Sequence, residues 1–178
     1  MPKFVKKIGK VKYYEIDGLR AAGILPYFIK DDKMYILINT ENRNNKIVYN
    51  CLGGKVDFND TSIKETMKRE FNEETGYLMS DLIRKVDINF KECIRLIKSK
   101  YLLYLYKVKF NNTWKFLPHN YKNIFSNVEF FNHRESINLK WVSLFDFNEK
   151  NQSFLLKCLL TKVKKKFHFI EDPIVVDE

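Results

Sequence analysis

The sequence predicts a mixed α/β fold in which helices pack on a mixed β-sheet. Several apolar runs have the length of a strand and are separated by polar turns. Two longer segments, 62–75 and 150–166, carry apolar side chains at helical spacing. No internal repeat or low-complexity linker interrupts the chain, so the 178 residues, 1–178, are expected to form one domain.

The first part of the chain contains three predicted strands. A basic leader, residues 1–18, precedes a continuous run of small and apolar residues at 19–29, which predicts a buried strand. Residues 34–39 predict a second strand and residues 47–51 a third. The polar stretch 41–46 between them is expected to be a loop. A pair of glycines, Gly53 and Gly54, follows the third strand, and Lys55 is expected in a loop beside Gly54.

Residues 62–75 carry the signals of a capped helix. Ser62 can accept a hydrogen bond from the first turn, and Glu65 stands three residues later, as in a capping box. Gly76 follows the segment at the position where many helices end in a left-handed residue.

The second part predicts three more strands and the last helix. Strand-like runs occur at 86–96 and 101–110, and in the second run the side chains alternate between two faces. Residues 139–142 form a further short strand, and the C-terminal helix is expected at 150–166. Its predicted apolar side consists of Phe154, Leu155, Cys158, Leu159 and Val163.

The composition indicates a basic protein without a membrane span. Lys and Arg number 32 against 22 Asp and Glu, and the net charge of +10 favours polyanionic partners such as nucleotides, RNA or acidic lipid. The longest apolar run covers six residues, 101–106, against roughly 18 for a span. Lysines interrupt the amino terminus where a secretory signal would be apolar. We therefore expect an intracellular, cytoplasmic protein whose three cysteines are reduced.

Lysines form two clusters that could bind RNA. A solvated, solubilising surface is the alternative interpretation of each cluster. Residues 151–166 contain no acid, which favours a polyanionic partner for the second cluster. The clusters are Lys3, Lys6, Lys7, Lys10 and Lys12, and Lys157, Lys162, Lys164, Lys165 and Lys166.

Three glutamates share the apolar side of the first predicted helix. With Ile63 at zero and about 100° per residue, Glu70, Glu73 and Glu74 fall near 340°, 280° and 20°. Glutamates at such spacing usually form a solvated face, but the solvent-facing sector is expected to hold other residues, namely Lys64, Lys68, Asn72 and Thr75. Partly buried like charges need a compensating cation, and Mg²⁺ prefers carboxylate oxygens.

The segment 69–77, REFNEETGY, resembles the second half of the Nudix box of the Nudix hydrolases. That half of the family pattern is R-E-U-x-E-E-x-G-U, where U is bulky and apolar, and every defined position fits if Tyr77 is accepted as the last U. Gly54 fits the opening glycine of the box, 54–77, but the following loop is one residue longer than in the pattern. Strict spacing puts Thr61 where the family has Glu, and the adjacent Asp60 is the candidate substitute.

The resemblance implies a Nudix-type α/β/α sandwich with a mixed sheet. It implies that Glu70, Glu73 and Glu74 bind Mg²⁺ or Mn²⁺ with the carbonyl of Gly54, and that Arg69 orients a glutamate. Many relatives take a further acid from a later loop. Glu135 is our candidate for that ligand or general base, Glu129 is its competitor, and a plain surface carboxylate is the alternative for either.

The implied reaction is metal-dependent hydrolysis of a diphosphate linkage in a nucleoside diphosphate derivative, without a covalent nucleophile. Lys55, beside Gly54, is a candidate phosphate contact. The aromatic connection 111–134 is longer than the roughly 12 to 15 residues typical of structureless loops. Its rings either stack on a base or pin the loop to the core, and our candidates for substrate binding are Trp114, Tyr121 and Phe131.

The basic surface and the aromatic connection favour capped or 5′-diphosphate-linked RNA as substrate, as in mRNA decapping. ADP-ribose, dinucleoside polyphosphates and nucleoside triphosphates are the small-molecule alternatives. A noncatalytic Nudix module that binds RNA or nucleotides is a second class, and a basic membrane-surface or scaffold protein is a third. Intact carboxylates in the second half of the box favour the enzyme.

Overall fold

The computed structural model describes residues 2–8, 11–77, 79–109 and 136–167. In these ranges, six strands precede the first helix, and three more strands lie before the last one, so the chain has the mixed α/β composition that the sequence predicts. The strands are β1 (Lys3–Ile8), β2 (Val11–Glu15), β3 (Ala21–Lys30), β4 (Lys33–Arg43), β5 (Lys46–Asn50), β6 (Leu52–Lys55), β7 (Cys93–Leu96), β8 (Tyr101–Lys107) and β9 (Ser136–Ser143). The helices are α1 (Ile63–Glu74), α2 (Ser80–Arg84) and α3 (Phe154–Phe167), with a short 3₁₀ turn at Phe90–Glu92.

The main sheet is mixed, as expected. Strands β3 and β8 run parallel from the pair Ala21 and Tyr101 to the pair Tyr27 and Lys107. The other pairings of this sheet are antiparallel and join β3 to β4 and β6, β4 to β5 and β9, and β7 to β8. Strands β1 and β2 form a separate antiparallel hairpin, so the basic leader is in part a β-hairpin. In the described part of the chain, no helix has the length and apolar character needed to cross a membrane.

Strands β3 and β4 diverge, and the chain of β5 and β6 fills the space between them. Near the end of β3, Tyr27 pairs with Ile36 of β4. Near its start, Ala22 pairs instead with Gly54 of β6, on the edge opposite β8. The far part of β4 pairs with β5. The sheet therefore splits beside Gly54, and the split creates a depression.

Helices cover both faces of the sheet, which gives the expected α/β/α sandwich. Successive residues of β8 point to opposite faces, so Leu102 and Tyr104 pack in one core and Leu103 and Leu105 in the other. The first core contains the apolar face of α1, which is Ile63, Met67 and Phe71. The second contains the apolar face of α3, which is Leu156, Leu159, Leu160 and Val163.

The β4–β5 connection is shorter than the sequence analysis predicts. Residues 41–43 belong to β4 and Lys46 to β5, so only Asn44 and Asn45 form the turn. Both asparagines have positive φ, 51° and 61°, as a two-residue hairpin turn requires. Because residues 41–43 are polar, the sequence predicts a loop there, but β4 continues through them. The predicted loop at Lys55 is also wrong, because Lys55 lies with Gly53 and Gly54 in β6.

Two other elements are shorter than predicted. Strand β7 begins at Cys93, and the apolar residues before it pack into the first core without forming a strand. Helix α3 begins at Phe154, where the Ser153 hydroxyl accepts a hydrogen bond from the backbone N–H of Leu156. Phe154 is 78% exposed and does not belong to the apolar face of the helix. The polar cap residue, rather than the first apolar residue, decided where α3 starts.

Candidate functional site

A cavity of about 800 Å³ lies beside the split in the sheet. Three parts of the chain form it: the β4–β5 hairpin, strand β6 and the second half of α1. Its lining consists of Glu41, Asn42, Arg43, Asn44, Asn50, Gly53, Gly54, Lys55, Glu70 and Glu74. Gly53, Gly54 and the carboxylates of α1 therefore share one cavity with a hairpin that the sequence did not connect to them.

The start and end of α1 have the predicted caps. The Ser62 hydroxyl accepts a hydrogen bond from the N–H of Glu65 at 3.2 Å, and the Glu65 carboxylate accepts one from the N–H of Thr61 at 2.6 Å. At the other end, the N–H groups of Gly76 and Tyr77 donate to the carbonyls of Glu73 and Asn72, which is a Schellman motif. These caps fix the length and rotation of α1, and so the positions of its glutamates.

The glutamates of α1 differ in burial according to their angle on the helix. Glu70 keeps 15% of its side-chain surface exposed and Glu73 keeps 45%. Glu74 lines the cavity and accepts a hydrogen bond from the N–H of Gly53 at 2.6 Å. The predicted inward orientation is confirmed for Glu70 and Glu74, while Glu73 lies at the edge. Thr75, expected in solvent, is buried, and its hydroxyl donates to the Phe71 carbonyl.

Gly54 is the point where the strand touches the helix carboxylates. A Cβ atom built on Gly54 would overlap the Glu70 carboxylate. Only glycine therefore lets the backbone of β6 lie against this side chain. Gly53 and Gly23 face each other across the two strands, and a Cβ on either would overlap the Tyr101 hydroxyl and the opposite backbone. These close approaches place the backbone of β6 beside two carboxylates.

Arg69 forms hydrogen bonds with three carboxylates and one backbone carbonyl around the site. Its guanidinium donates to Glu70 at 2.8 Å, to Glu73 at 3.1 Å and to the carbonyl of Lys55 at 2.8 Å. It also donates to both carboxylate oxygens of Asp60, at 2.9 and 3.0 Å. One side chain thus links the helix, the loop before it and strand β6.

Asp60 occupies the position next to the one where the box pattern has glutamate. Its side chain is 4% exposed and accepts further hydrogen bonds from the Thr66 hydroxyl at 2.7 Å and the N–H of Asp57 at 2.8 Å. Although burial opposes ionisation, the bonds from Arg69, Asp57 and Thr66 hold the pKa of Asp60 below its usual value. Asp60 is therefore an ionised anchor for Arg69, and the extra residue of the loop is accommodated before α1.

Burial makes the two carboxylates that α1 contributes to the cavity difficult to ionise. It raises the pKa of Glu70 to about 7, with Arg69 acting in the opposite direction and Glu73 adding to the rise. Burial, followed by the charge of Glu70, raises the pKa of Glu74 well above its usual value, against the N–H of Gly53. Two such carboxylates in one cavity favour the binding of a cation.

We expect the stability of the metal-free protein to fall as the pH rises, because of Glu70. Its ordinary pKa of 4.5 becomes about 7 in the fold, so the folded state binds more protons between these values. The free-energy cost of ionising the buried Glu70 carboxylate is absent below pH 4.5 and grows through this window. It is complete above pH 7, where it lowers the free energy of unfolding by up to about 3 kcal/mol. Urea unfolding in EDTA at pH 5 and pH 8, for wild type and Glu70→Gln, measures it. A stability difference between the two proteins that is the same at both pH values would contradict the prediction.

The donor set fits a hard divalent cation. Carboxylates of Glu70 and Glu74 and the backbone of Gly54 supply oxygen atoms of the kind that Mg²⁺ and Mn²⁺ prefer. Glu73 is turned towards Arg69, and in the described part of the chain no three acidic, histidine or cysteine side chains already converge as metal ligands. Glu70, Glu74 and Gly54 are thus the groups of this cavity that could hold a metal.

Glu41, which no sequence pattern singled out, is 2% exposed and lines the same cavity. It accepts hydrogen bonds from Arg43 at 2.6 Å and from the Asn50 amide at 2.7 Å. The paired asparagines at 44 and 45 are a hairpin signal that could have extended β4 to include it. Lys55 also lines the cavity, next to Gly54.

Several predicted site residues lie outside the described residues. They belong to the segment between β8 and β9. They are Glu135, its competitor Glu129, and the aromatic candidates Trp114, Tyr121 and Phe131.

Solved structures of Nudix proteins resemble this fold. An Ap4A hydrolase from C. elegans, solved as a binary complex, superposes with a TM-score of 0.52 at 17% identity, over 85% of this chain and 98% of its own. The Nudix domain of NrtR from Shewanella oneidensis, solved with ADP ribose, gives 0.51 at 14% identity, over 86% and 90%. The Nudix hydrolase RenU from M. smegmatis gives 0.50 at 10% identity, over 89% and 92%.

Comparison of the sequence with models of protein families gave no match, and comparison with curated proteins gave none. At such low identity the structural matches establish the architecture only. The mixed sheet with helices on both faces is the α/β/α fold of the Nudix proteins.

Proposed function

We propose that the protein is a metal-dependent Nudix pyrophosphohydrolase that cleaves a diphosphate linkage in a nucleoside diphosphate derivative. One observation carries the proposal: Glu70 and Glu74 lie in a single cavity against the glycine backbone of β6. Burial raises the pKa of both carboxylates, so their ionised forms are disfavoured in the metal-free cavity. A bound divalent cation would stabilise the ionised forms. The shared fold supports the choice of reaction class.

Each residue of the site has a role in this proposal. Glu70, Glu74 and the Gly54 carbonyl hold the cation, and Arg69 fixes the orientation of Glu70 and Glu73. Lys55 attracts the phosphates at the cavity floor. When bound, the metal would neutralise phosphate oxygens and lower the pKa of the attacking water. A glutamate accepts the proton of that water. The candidates for this role are Glu73, whose side chain is half-exposed, and Glu135 from the segment before β9.

The proposed substrate within this class is capped or 5′-diphosphate-linked RNA, so that the reaction is mRNA decapping. A groove of about 460 Å³ between the β7–β8 turn and α3 supports an extended anionic ligand. Lys98, Lys162 and Lys165 line it together with the exposed ring of Phe154. Lysines bind the backbone of a single strand, and an exposed aromatic ring can stack on a base. Of the amino-terminal lysines, the described side chain of Lys3 is exposed.

Small nucleotides are the second candidate substrates. The hydrolase from C. elegans acts on Ap4A by its name, and the NrtR domain was solved with ADP ribose. A cavity of about 800 Å³ is large enough for ligands of this size. The two candidates differ in whether the basic surface outside the cavity contributes to binding.

Incubation with Mg²⁺ or Mn²⁺ tests the proposal directly. The substrates are capped RNA, ADP-ribose, a dinucleoside polyphosphate and a nucleoside triphosphate, with Glu73→Gln as the control for loss of the site. Hydrolysis by wild type, its loss in EDTA and a strong reduction in Glu73→Gln are expected. If wild type and Glu73→Gln are equally inert on the whole panel, the protein is not this enzyme.

Salt dependence separates RNA from small nucleotides. Contacts between several lysines and phosphates release counterions, so affinity for capped RNA should fall steeply between about 50 and 200 mM salt. Affinity for a cap dinucleotide without the RNA body should fall less. Equal salt slopes for the two ligands would remove the argument for RNA.

A further inference from the structure

Two exposed aromatic rings lie on either side of Tyr14, outside the cavity. Phe4 of β1 is 58% exposed, and Phe58, in the loop between β6 and α1, is 61% exposed. The ring of Tyr14 on β2 lies next to both, with centroid distances of 6.0 Å to Phe4 and 6.3 Å to Phe58. We call these three residues the aromatic patch. Contiguous exposed apolar surface marks a site of interaction more often than a single exposed residue does.

The fold holds the aromatic patch in place. Tyr14 packs against the first core, and Phe4 is its partner in the register of the β1–β2 hairpin. Glu15, which follows Tyr14, accepts hydrogen bonds from Arg20 at 2.7 Å and from Lys100 at 2.6 Å. These contacts attach the hairpin to the body of the protein. The exposed rings therefore have little conformational freedom left to lose when a ligand binds.

The chain keeps Phe58 close to the cavity. Lys55 lines the cavity and precedes Phe58 by three residues, so their Cα atoms are at most about 11 Å apart. The loop that carries Phe58 is also fixed to α1, because Asp60 accepts hydrogen bonds from Arg69 at 2.9 and 3.0 Å. A nucleic acid strand whose 5′ end occupies the cavity can therefore reach the aromatic patch with its next nucleotides.

The charge around the aromatic patch favours an anionic ligand. Residues 1–14 contain five lysines and no acid, and the side chain of Lys3 is exposed. Among the acids beside the patch, Glu15 and Asp60 are paired with cations, and Asp57 accepts a backbone N–H at 3.1 Å. Lysines combined with exposed aromatic rings are typical of surfaces for single-stranded nucleic acid, where phosphates contact the lysines and bases stack on the rings.

We propose that the aromatic patch binds the first unpaired nucleotides of an RNA substrate, next to the diphosphate linkage in the cavity. Bases stack on Phe4 and Phe58, and the basic hairpin attracts the phosphates. This inference rests on the proposed function and names the surface that would distinguish RNA from a small nucleotide. The aromatic patch is separate from the groove at α3, because Tyr14 packs on the first core and α3 on the second, across the sheet.

Binding of uncapped RNA tests the aromatic patch without turnover. Fluorescence anisotropy in EDTA, which prevents metal-dependent hydrolysis, compares wild type with Phe4→Ala and Phe58→Ala on a single strand of about 16 nucleotides. Each substitution removes a stacking partner, so the affinity should fall by roughly 5- to 150-fold. Phe90→Ala, which removes a ring that is 52% exposed on the 3₁₀ turn, is the matched control and should bind as wild type does. Double-stranded RNA, whose bases are already stacked, should bind wild type and Phe58→Ala alike.

Steady-state kinetics supplies the second readout. In Mg²⁺, Phe58→Ala should raise KM for capped RNA by the same factor and leave kcat within about twofold of wild type. Hydrolysis of a cap dinucleotide should not change, because this ligand lacks the nucleotides that reach the aromatic patch. An equal loss for capped RNA and the cap dinucleotide would mean that Phe58 acts on the cavity through Asp60 and Arg69, and it would overturn the inference.

Stability and other ligands of the aromatic patch are checked in parallel. More than half of each ring is exposed, so neither alanine variant should unfold, and Phe58→Leu, which keeps an apolar side chain without an aromatic face, should lose RNA affinity as Phe58→Ala does. Unchanged RNA affinity in the variants would overturn the inference, also where they lose binding to phosphatidylserine vesicles or self-association instead. If wild type hydrolyses nothing, the proposed function fails, whereas the RNA affinities still decide the role of the aromatic patch.

Discussion

Glu74→Gln is expected to lower kcat for diphosphate hydrolysis by a factor on the order of 100 to 10,000. Glu74 lies in the cavity with Glu70, and its carboxylate accepts the N–H of Gly53 at 2.6 Å. Glutamine keeps the shape and can still accept this hydrogen bond, but it removes the negative charge that would hold a dication. Loss of several kcal/mol of electrostatic stabilisation corresponds to the expected factor.

Metal binding gives the same variant a readout that does not depend on turnover. Calorimetry should show Mg²⁺ or Mn²⁺ uptake by wild type and a loss of uptake in Glu74→Gln. Metal should raise the unfolding temperature of wild type only, because a ligand stabilises the state that binds it. Glu92→Gln, an exposed glutamate near Lys166, is the control and should behave as wild type. Full activity or unchanged metal uptake in Glu74→Gln would refute the assignment of the site.

Arg69→Ala is expected to destabilise the protein by about 3–5 kcal/mol, since it leaves the buried carboxylate of Asp60 without its arginine. The same change releases Glu70, Glu73 and the carbonyl of Lys55. The helix, the loop before it and strand β6 then lose their common partner. Denaturant unfolding at neutral pH measures the change in the free energy of unfolding.

A double variant separates the charge effect from the loss of packing. Asp60→Asn with Arg69→Met removes both buried charges and keeps a long apolar side chain, so it should be less destabilised than Arg69→Ala. It should nevertheless lose activity, because Glu70 and Glu73 are no longer oriented. If Arg69→Ala unfolds with the same free energy as wild type, the guanidinium does not link these elements in solution.

The residues around α1 show how much of the site local sequence could predict. Ser62, Glu65 and Gly76 fix the helix ends through hydrogen bonds within a few residues of each other, so the pattern was sufficient to place Ile63–Glu74. The angle of each glutamate followed from helix geometry, and the graded burial of Glu70 and Glu73 agrees with it. The helical angle of Thr75 predicted a solvent-facing side chain, but Thr75 is buried. Neighbouring elements cover that end of the helix.

Asn44 and Asn45 could have indicated the β4–β5 hairpin, but local sequence could not predict that this hairpin lines the cavity. Glu41 and Arg43 are polar residues at the end of an apolar strand, and a polar run normally indicates a loop. They became part of the site because β4 continues beyond the point where it leaves β3 and pairs with β5 instead. Asn50 and Ser153 meet across 103 positions of sequence, a contact that local patterns do not reveal.

The sequence by itself determined the class of fold and the helix that carries the glutamates, and it marked Gly54 as part of the same motif. Helical rotation, capping and the small size of glycine are local properties, so they can be derived from neighbouring residues. Only the tertiary structure decided that the sheet splits beside Gly54, that Glu41 is buried and that Arg43 reaches the same cavity. Those results depend on the pairing of distant strands, which is set by the packing of the two cores.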